Sequence, residues 1–190
     1  PAADPNCCRL RDLLHDSERT FDPRDLDNPE PGDWANYIKG IVRVLQDKGH
    51  TIPAFDLALT STVPMSAGMS SSAALEMSSL LAIEQIAGIT LDWRDRARTG
   101  QACENTYVGA NTGLMDQITS LRGKAGHFVF SDFRSLDVET VPVPDGLALV
   151  VANTKVKHVL TGAYNERRER CEQAVCELRN AGVEGISALR

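Results

Sequence analysis

The stretch Val63-Pro64-Met65-Ser66-Ala67-Gly68-Met69-Ser70-Ser71-Ser72-Ala73-Ala74-Leu75-Glu76 decides how the rest of the chain is read. It joins the alternating run Phe55-Asp56-Leu57-Ala58-Leu59 to a long apolar-periodic run that ends at Ile86, with Gly88 as a stop for the helix. The pattern predicts a strand, a small-residue loop and a helix start, with the helix over about 71–87. A helix start offers unpaired backbone N–H groups and the positive end of a dipole, which suits phosphate. Small side chains let a phosphate reach the backbone, and three serines add hydroxyl donors. The loop has neither the Gly-Lys-Ser/Thr end of the Walker pattern nor the glycines of the dinucleotide fingerprint. A serine-capped helix after a turn accounts for the same residues without any ligand.

Outward from this loop, Trp34, Ile38, Ile41 and Leu45 recur at helical spacing before Gly49, predicting a helix that Trp34 opens. Residues 1–33 predict a strand or two, then a loop through Asp27–Asp33. Downstream, a helix is expected from Asp92 to Thr106, a break at 109–113, and a shorter helix from Leu114 to Leu121. From Gly126 the period changes, and 127–130, 138–143 and 147–151 read as strands. A charged amphipathic helix is expected from Tyr164 to Asn180, with Cys171, Val175 and Leu178 on one side. Helices and strands alternate without a strict βαβ rhythm, which favours α+β.

The 190 residues carry 42% hydrophobic and 24% charged side chains, an ordinary globular balance. A net charge of −6 argues against nucleic acid, which needs basic stripes. No apolar run approaches a membrane span, and no signal peptide is visible. The five cysteines are irregularly spaced without a Cys-x-x-Cys, which favours a reducing compartment over zinc or disulfides. The expected setting is the cytoplasm, and the expected oligomeric state is a monomer.

Several motifs resemble one family in the family's own order. The serine loop resembles the nucleotide-phosphate loop of the GHMP small-molecule kinases. Trp34-Ala35-Asn36-Tyr37-Ile38-Lys39-Gly40 resembles the segment before that loop in the galactokinase branch. Glu104-Asn105-Thr106-Tyr107-Val108-Gly109, with Gly113-Leu114-Met115-Asp116-Gln117, resembles its catalytic segment. Asn153-Thr154-Lys155-Val156-Lys157-His158, with Tyr164-Asn165-Glu166-Arg167-Arg168, resembles a later stretch.

The resemblance implies an α+β GHMP kinase fold. Residues 1–142 would be most of a ribosomal-protein-S5-like N-terminal domain, with a left-handed βαβ unit at the nucleotide loop. Residues 143–190 would begin the C-terminal domain. It implies transfer of the γ-phosphate of ATP, with Mg2+, to the C1 hydroxyl of α-D-galactose. Asp116 would face the attacking hydroxyl; by itself it reads as a first-turn dipole partner. Ser71 and Glu104 would hold Mg2+, although Glu104 alone reads as a solvated helix-surface side chain. Ser66, Ala67, Gly68, Ser70 and Ser72 would contact phosphate, Ser70 and Ser72 being equally fit to cap the helix. Trp34 and Tyr37 would line the adenine pocket, Trp34 reading otherwise as a core residue. Gly113 and Tyr164 would contact the sugar. Ser66 stands where the family usually has Gly, which narrows the backbone angles open to the loop.

Two segments of the family, one anchoring the sugar and one rich in glycine, have no counterpart here. The chain is therefore expected to be the middle of a longer kinase and inactive by itself. Two rival readings remain open. One is a related kinase acting on an N-acetylhexosamine, arabinose or a uronic acid. The other is a non-catalytic galactokinase-like sensor of sugar and ATP; the intact Ser70-Ser71-Ser72-Ala73-Ala74 favours an enzyme.

Overall fold

Cys8-Arg-Leu-Arg-Asp alternates buried and exposed side chains, the signature of a strand with one covered face. This strand, β1 (Cys8–Asp12), lies at the centre of a three-stranded sheet in a computed structural model that describes residues 2–154 and 160–188. β2 (Ser17–Phe21) pairs antiparallel to β1, with Cys8 opposite Phe21. β3 (Asp56–Leu59) pairs parallel to β1 on its other side, with Leu10 opposite Leu57.

A parallel pair needs a crossover, and α1 (Asn36–Asp47) lies within it. Its Ile38, Ile41, Val42 and Leu45 are fully buried, as are Leu10 of β1 and Phe55 beside β3. The rings of Phe21 and Phe55 meet edge-on at 6.1 Å. Each of these large apolar side chains contributes about 1.5–3 kcal/mol on burial. Trp34 sits in the turn before α1 rather than opening the helix.

The serine loop leads into α2 (Ser71–Ala87), which runs over the expected span and ends at Gly88 with a φ of +65°. Leu80 and Ile83 of α2 complete the main core. Asp92 caps α3 (Trp93–Ala102) by accepting from the Asp95 N–H at 2.8 Å. Arg96 of α3 grips the buried Glu84 of α2 with both Nε and Nη2, at 3.0 and 2.8 Å from Oε2. Such a pair costs several kcal/mol to break from one side, because a buried charge is left unmatched.

The helix expected to continue to Thr106 changes character at Cys103. Residues Cys103–Val108 form a π-helical segment, and Gly109 ends it at φ +85°. A π turn holds one residue more than an α turn, so it re-aims every side chain that follows. α1 packs directly on this segment because residue 40 is glycine. A Cβ there would come within 2.5 Å of Cys103 Sγ and 3.1 Å of Tyr107 Cβ.

α4 (Met115–Arg122) follows the loop at 109–114. A hairpin of β4 (His127–Asp132) and β5 (Asp137–Pro142) packs onto α3 and α4 through Leu136, Val129 and Val138. Among the described residues β4 pairs only with β5, so the strand after α2 does not rejoin β3; the parallel pair of the fold is β1 with β3.

The expected strand at 147–151 is absent. That segment is irregular, with Leu149, Val150 and Val151 at 67%, 90% and 72% exposure. Its apolar run finds no neighbouring strand among the described residues, and an unpaired strand leaves its backbone groups without partners. α5 (Leu160–Asn180) begins four residues earlier than its expected start. On its face Val175 is buried, whereas Cys171 and Leu178 are exposed.

Candidate active site

Three chain segments far apart in sequence meet around one buried amide. Gln117, in the first turn of α4, is fully buried. Its Nε2 donates to Glu76 Oε2 at 3.1 Å and to Glu104 Oε2 at 3.2 Å. Glu76 lies in the second turn of α2, and Glu104 in the π-helical segment. Thr112 Oγ1 donates a short hydrogen bond to the same Glu104 Oε2, while its backbone N–H donates to Asn105 Oδ1 at 2.9 Å.

Glu104 is only 5% exposed, so the reading of a solvated surface carboxylate does not hold. The π turn and the packing of α1 carry it inward. Among the described residues its Oε1 accepts no hydrogen bond, yet it is not among the buried atoms left without a partner. One oxygen is tied and the other is open.

Glu76 has no exposed surface. Burial pushes its carboxyl well above the usual range, and the neighbouring charges of Glu104 and Asp116 push the same way, against the Gln117 bond. Two buried oxygens, Glu76 Oε1 and Gln117 Oε1, have no hydrogen-bond partner among the described residues. Tyr37 belongs to the same neighbourhood. Its hydroxyl pKa is pushed up to about 12, first by burial and then by the charges of Glu104, Glu76 and Cys103.

Close packing of α3 against this cluster depends on Gly100. A Cβ there would lie 2.5 Å from Met77 Cε, 2.9 Å from Gln117 Cγ and 3.0 Å from Glu76 Oε2.

The serine loop sits at the N-terminus of α2. Ser66 and Ser70 hold left-handed backbones at φ +54° and +55°, with Gly68 between them at +70°. The narrowed backbone freedom anticipated for Ser66 is therefore a real demand, since a Cβ is disfavoured there. The capping expectation does not hold. Ser70 makes no side-chain cap, and none of the hydroxyls of Ser70, Ser71 and Ser72 has a hydrogen-bond partner among the described residues. The left-handed turn at Ser70 is the physical reason, because a capping side chain needs an extended backbone at that position. Ser66 and Gly68 are exposed; Ala67, Ser70, Ser71 and Ser72 are half-buried.

Asp116 occupies the first turn of α4, half-buried, and its charge reaches Glu76. Gly113 lies just before α4 and lines a cleft of about 320 Å³ with Gln101, Leu114, Met115 and Phe133. Trp34 is half-buried against the main core, and its indole N–H is buried without a partner among the described residues. Tyr164 belongs to α5, but its side chain lies outside the described residues. Its neighbour Asn165 ties α5 to the loop before α4, accepting from Asn111 N–H at 2.9 Å and donating to Gly109 C=O at 3.2 Å.

Glu76, Gln117 and Thr112 were not singled out from the sequence as site residues. A signal existed for Glu76. α2 has no polar stripe, so a charged side chain on it has few ways to reach water. For Gln117 and Thr112 nothing in the sequence marked a polar side chain as buried.

Among the described residues no three His, Cys, Asp or Glu side chains gather as a metal cluster. Mg2+ takes one or two carboxylates and fills its remaining positions with water and phosphate oxygens. The open Oε1 of Glu104 is a suitable single carboxylate donor. No helix among the described residues is long and apolar enough to cross a membrane.

The serine hydroxyls at the N-terminus of α2 have no hydrogen-bond partner among the described residues, and Glu104 has one carboxylate oxygen tied and one open. Residues 36–124 match the family model described as the GHMP kinases N terminal domain. It is 44% identical over 192 residues to a galactokinase of Actinobacillus pleuropneumoniae, a match covering 98% of this chain and 48% of that protein. It is 43% identical over 159 residues to a galactokinase of Glaesserella parasuis serovar 5, covering 83% of this chain and 40% of that protein. The chain thus spans about half the length of the curated relatives it matches. In fold it resembles the crystal structure of Lactococcus lactis galactokinase complexed with galactose. That match has a TM-score of 0.85 at 24% identity, over 97% of this chain and 48% of that one. A mevalonate kinase of Methanococcus jannaschii shares the fold less closely, with a TM-score of 0.54 at 19% identity, over 61% of this chain and 38% of that one.

Proposed function

We propose that the protein is a galactokinase, transferring the γ-phosphoryl group of ATP to the C1 hydroxyl of α-D-galactose. The observation that carries this reading is the meeting of Glu104 and Asp116 around Glu76 of α2, the helix that the serine loop opens. Identity to galactokinases along almost the whole chain supports galactose over other sugars. The intact Ser70-Ser71-Ser72-Ala73-Ala74 supports an enzyme over a sensor. Residues 1–142 and 143–190 serve in this reading as parts of two successive domains.

In this scheme the backbone N–H groups at the start of α2, with Ser70 and Ser72, hold the phosphates. Ser66, Ala67 and Gly68 line the approach, and the dipole of α2 favours their negative charge. Trp34 and Tyr37 border the adenine, and Gly113 and Tyr164 the sugar. Glu104 Oε1 and the Ser71 hydroxyl would hold Mg2+, which when bound would supply charge neutralisation at the phosphates.

Asp116 faces the sugar hydroxyl, orients it in line with the γ-phosphorus and accepts its proton. A new bond forms between the C1 oxygen and the γ-phosphorus, and the bond from that phosphorus to the β-γ bridging oxygen breaks. ADP leaves with the electron pair. Catalysis of this kind rests on positioning and electrostatics more than on covalent chemistry.

The test is Asp116→Asn in the intact protein. Phosphorylation of galactose, followed by a coupled ADP assay, should nearly vanish while ATP binding stays within a few-fold. Turnover close to wild type would remove Asp116 from the reaction. A panel with galactose, N-acetylgalactosamine, arabinose and galacturonate as acceptors tests the sugar; preference for any other than galactose overturns that part.

A further inference from the structure

We propose that Gln117 and Thr112 are positioning residues that clamp Oε2 of Glu104, so that Oε1 alone is offered to a divalent cation. The proposal rests on the reading of Glu104 as the metal-binding carboxylate and adds what holds it in place.

A free glutamate carboxylate turns about its terminal torsion, a broad and roughly two-fold rotor. Here the rotor is locked from one side only. Gln117 Nε2 and Thr112 Oγ1 both donate to Oε2, and among the described residues Oε1 receives no hydrogen bond. Two donors on one oxygen leave the other as the sole free donor to a metal. A bidentate grip would need both. Mg2+ favours the single-oxygen mode, since it holds near-octahedral geometry and keeps several waters.

The clamp is itself held. The second N–H of the Gln117 amide donates to Glu76 Oε2, so both of its hydrogens are used. Its Cγ packs where even one methyl on Gly100 would come within 2.9 Å. Thr112 is fixed through its own N–H, which donates to Asn105 Oδ1 and to Ala110 C=O. The donors come from α4 and from the loop before it, whereas Glu104 comes from the π-helical segment. The clamp therefore also fixes the distance between the carboxylate and Asp116, the neighbour of Gln117. Glu76 serves as the far anchor, not as a metal donor, since it has no exposed surface.

Outer partners of this kind typically change metal affinity by about 10–100-fold when removed. The experiment measures the Mg2+ concentration needed for half-maximal binding of a fluorescent ATP analogue to the intact protein. Gln117→Met keeps the volume and removes the donor; Thr112→Val does the same on the other side. Each should raise the Mg2+ requirement by about tenfold or more while leaving metal-free nucleotide binding unchanged. In a Glu104→Gln background neither should add a further shift, because the clamped oxygen no longer matters.

If Glu104→Gln raises the Mg2+ requirement and the two clamp variants do not, the clamp is merely structural and the proposal is overturned. If Glu104→Gln has no effect, the metal role of Glu104 fails, and the proposal with it. Thr112 is only half-buried. Should Gln117→Met fail to fold, Thr112→Val decides.

Discussion

Gly100→Ala sets two effects of opposite sign against each other, and the structure says which prevails. Gly100 lies inside α3. Alanine is the better helix former by about 0.8–1 kcal/mol, so propensity alone predicts a gain. Packing predicts a loss. The new methyl would meet Met77 Cε at 2.5 Å, Gln117 Cγ at 2.9 Å and Glu76 Oε2 at 3.0 Å. Met77 has a flexible end, but at 2% exposure it can move only into occupied space. Gln117 and Glu76 can yield only by stretching the hydrogen bonds at 3.1 and 3.2 Å that join α2, α4 and the π-helical segment. Overpacking of this kind costs about 1–3 kcal/mol. With three close contacts the upper part of that range applies, and the net change should be a loss of about 1–2 kcal/mol. Urea unfolding gives the sign directly, provided that the slope of the transition is unchanged. Stability equal to or above wild type would mean that the cluster is loose at Gly100, and would refute the account of a tightly held Gln117.

Trp34→Ala should weaken ATP binding by about 1–3 kcal/mol and leave galactose binding nearly unchanged, measured by calorimetry with each ligand alone. Equal losses for both ligands would make Trp34 a core residue only. Ser66→Gly removes a Cβ from a backbone at φ +54°. The relief of about 1–2 kcal/mol outweighs the added chain entropy of glycine, so thermal unfolding should show a stabilisation of up to about 1 kcal/mol. A drop in stability would show that the left-handed turn is not strained. Glu76 has a folded pKa raised above the ordinary 4.5, chiefly by burial. Its contribution to stability is complete below that ordinary value and is lost as pH rises towards the folded pKa. Glu76→Gln, which cannot ionise, should therefore gain on wild type as pH rises above about 4.5. Parallel stability-against-pH curves would show that Glu76 titrates normally.

Much of this protein is written locally. The helix at Ser71–Ala87 is readable because an apolar run lies between a serine loop and Gly88, and its bounds follow from those residues alone. The two strands read near 127–130 and 138–143 and the helix of Ile38, Ile41 and Leu45 follow from hydrophobic period in the same way, whereas the pairing of the two strands does not. The run 147–151 shows the limit of such reading. Its residues have strand character, but a strand exists only when another chain segment supplies hydrogen bonds. The capping role of Ser70 failed for a related reason, since the dihedrals of the turn, not the residue type, decide whether a hydroxyl can reach the helix N–H groups.

The sequence by itself determined most of the elements and the order of their motifs. It also determined the chemistry on offer: serines before a helix, Glu104 and Asp116. Local backbone preference and hydrophobic period suffice for that, because each acts over a few residues. Only the tertiary structure decided what those groups become. Glu104 looks like a surface carboxylate until the π turn and Gly40 bring it against α1. Gln117 is an ordinary helix amide until Gly100 lets α3 close over it. Glu76 is an acid on an apolar helix until burial raises its pKa. In each case the deciding quantity is the environment assembled by distant segments, namely solvent exclusion and opposed donors and acceptors. No single stretch of sequence contains it.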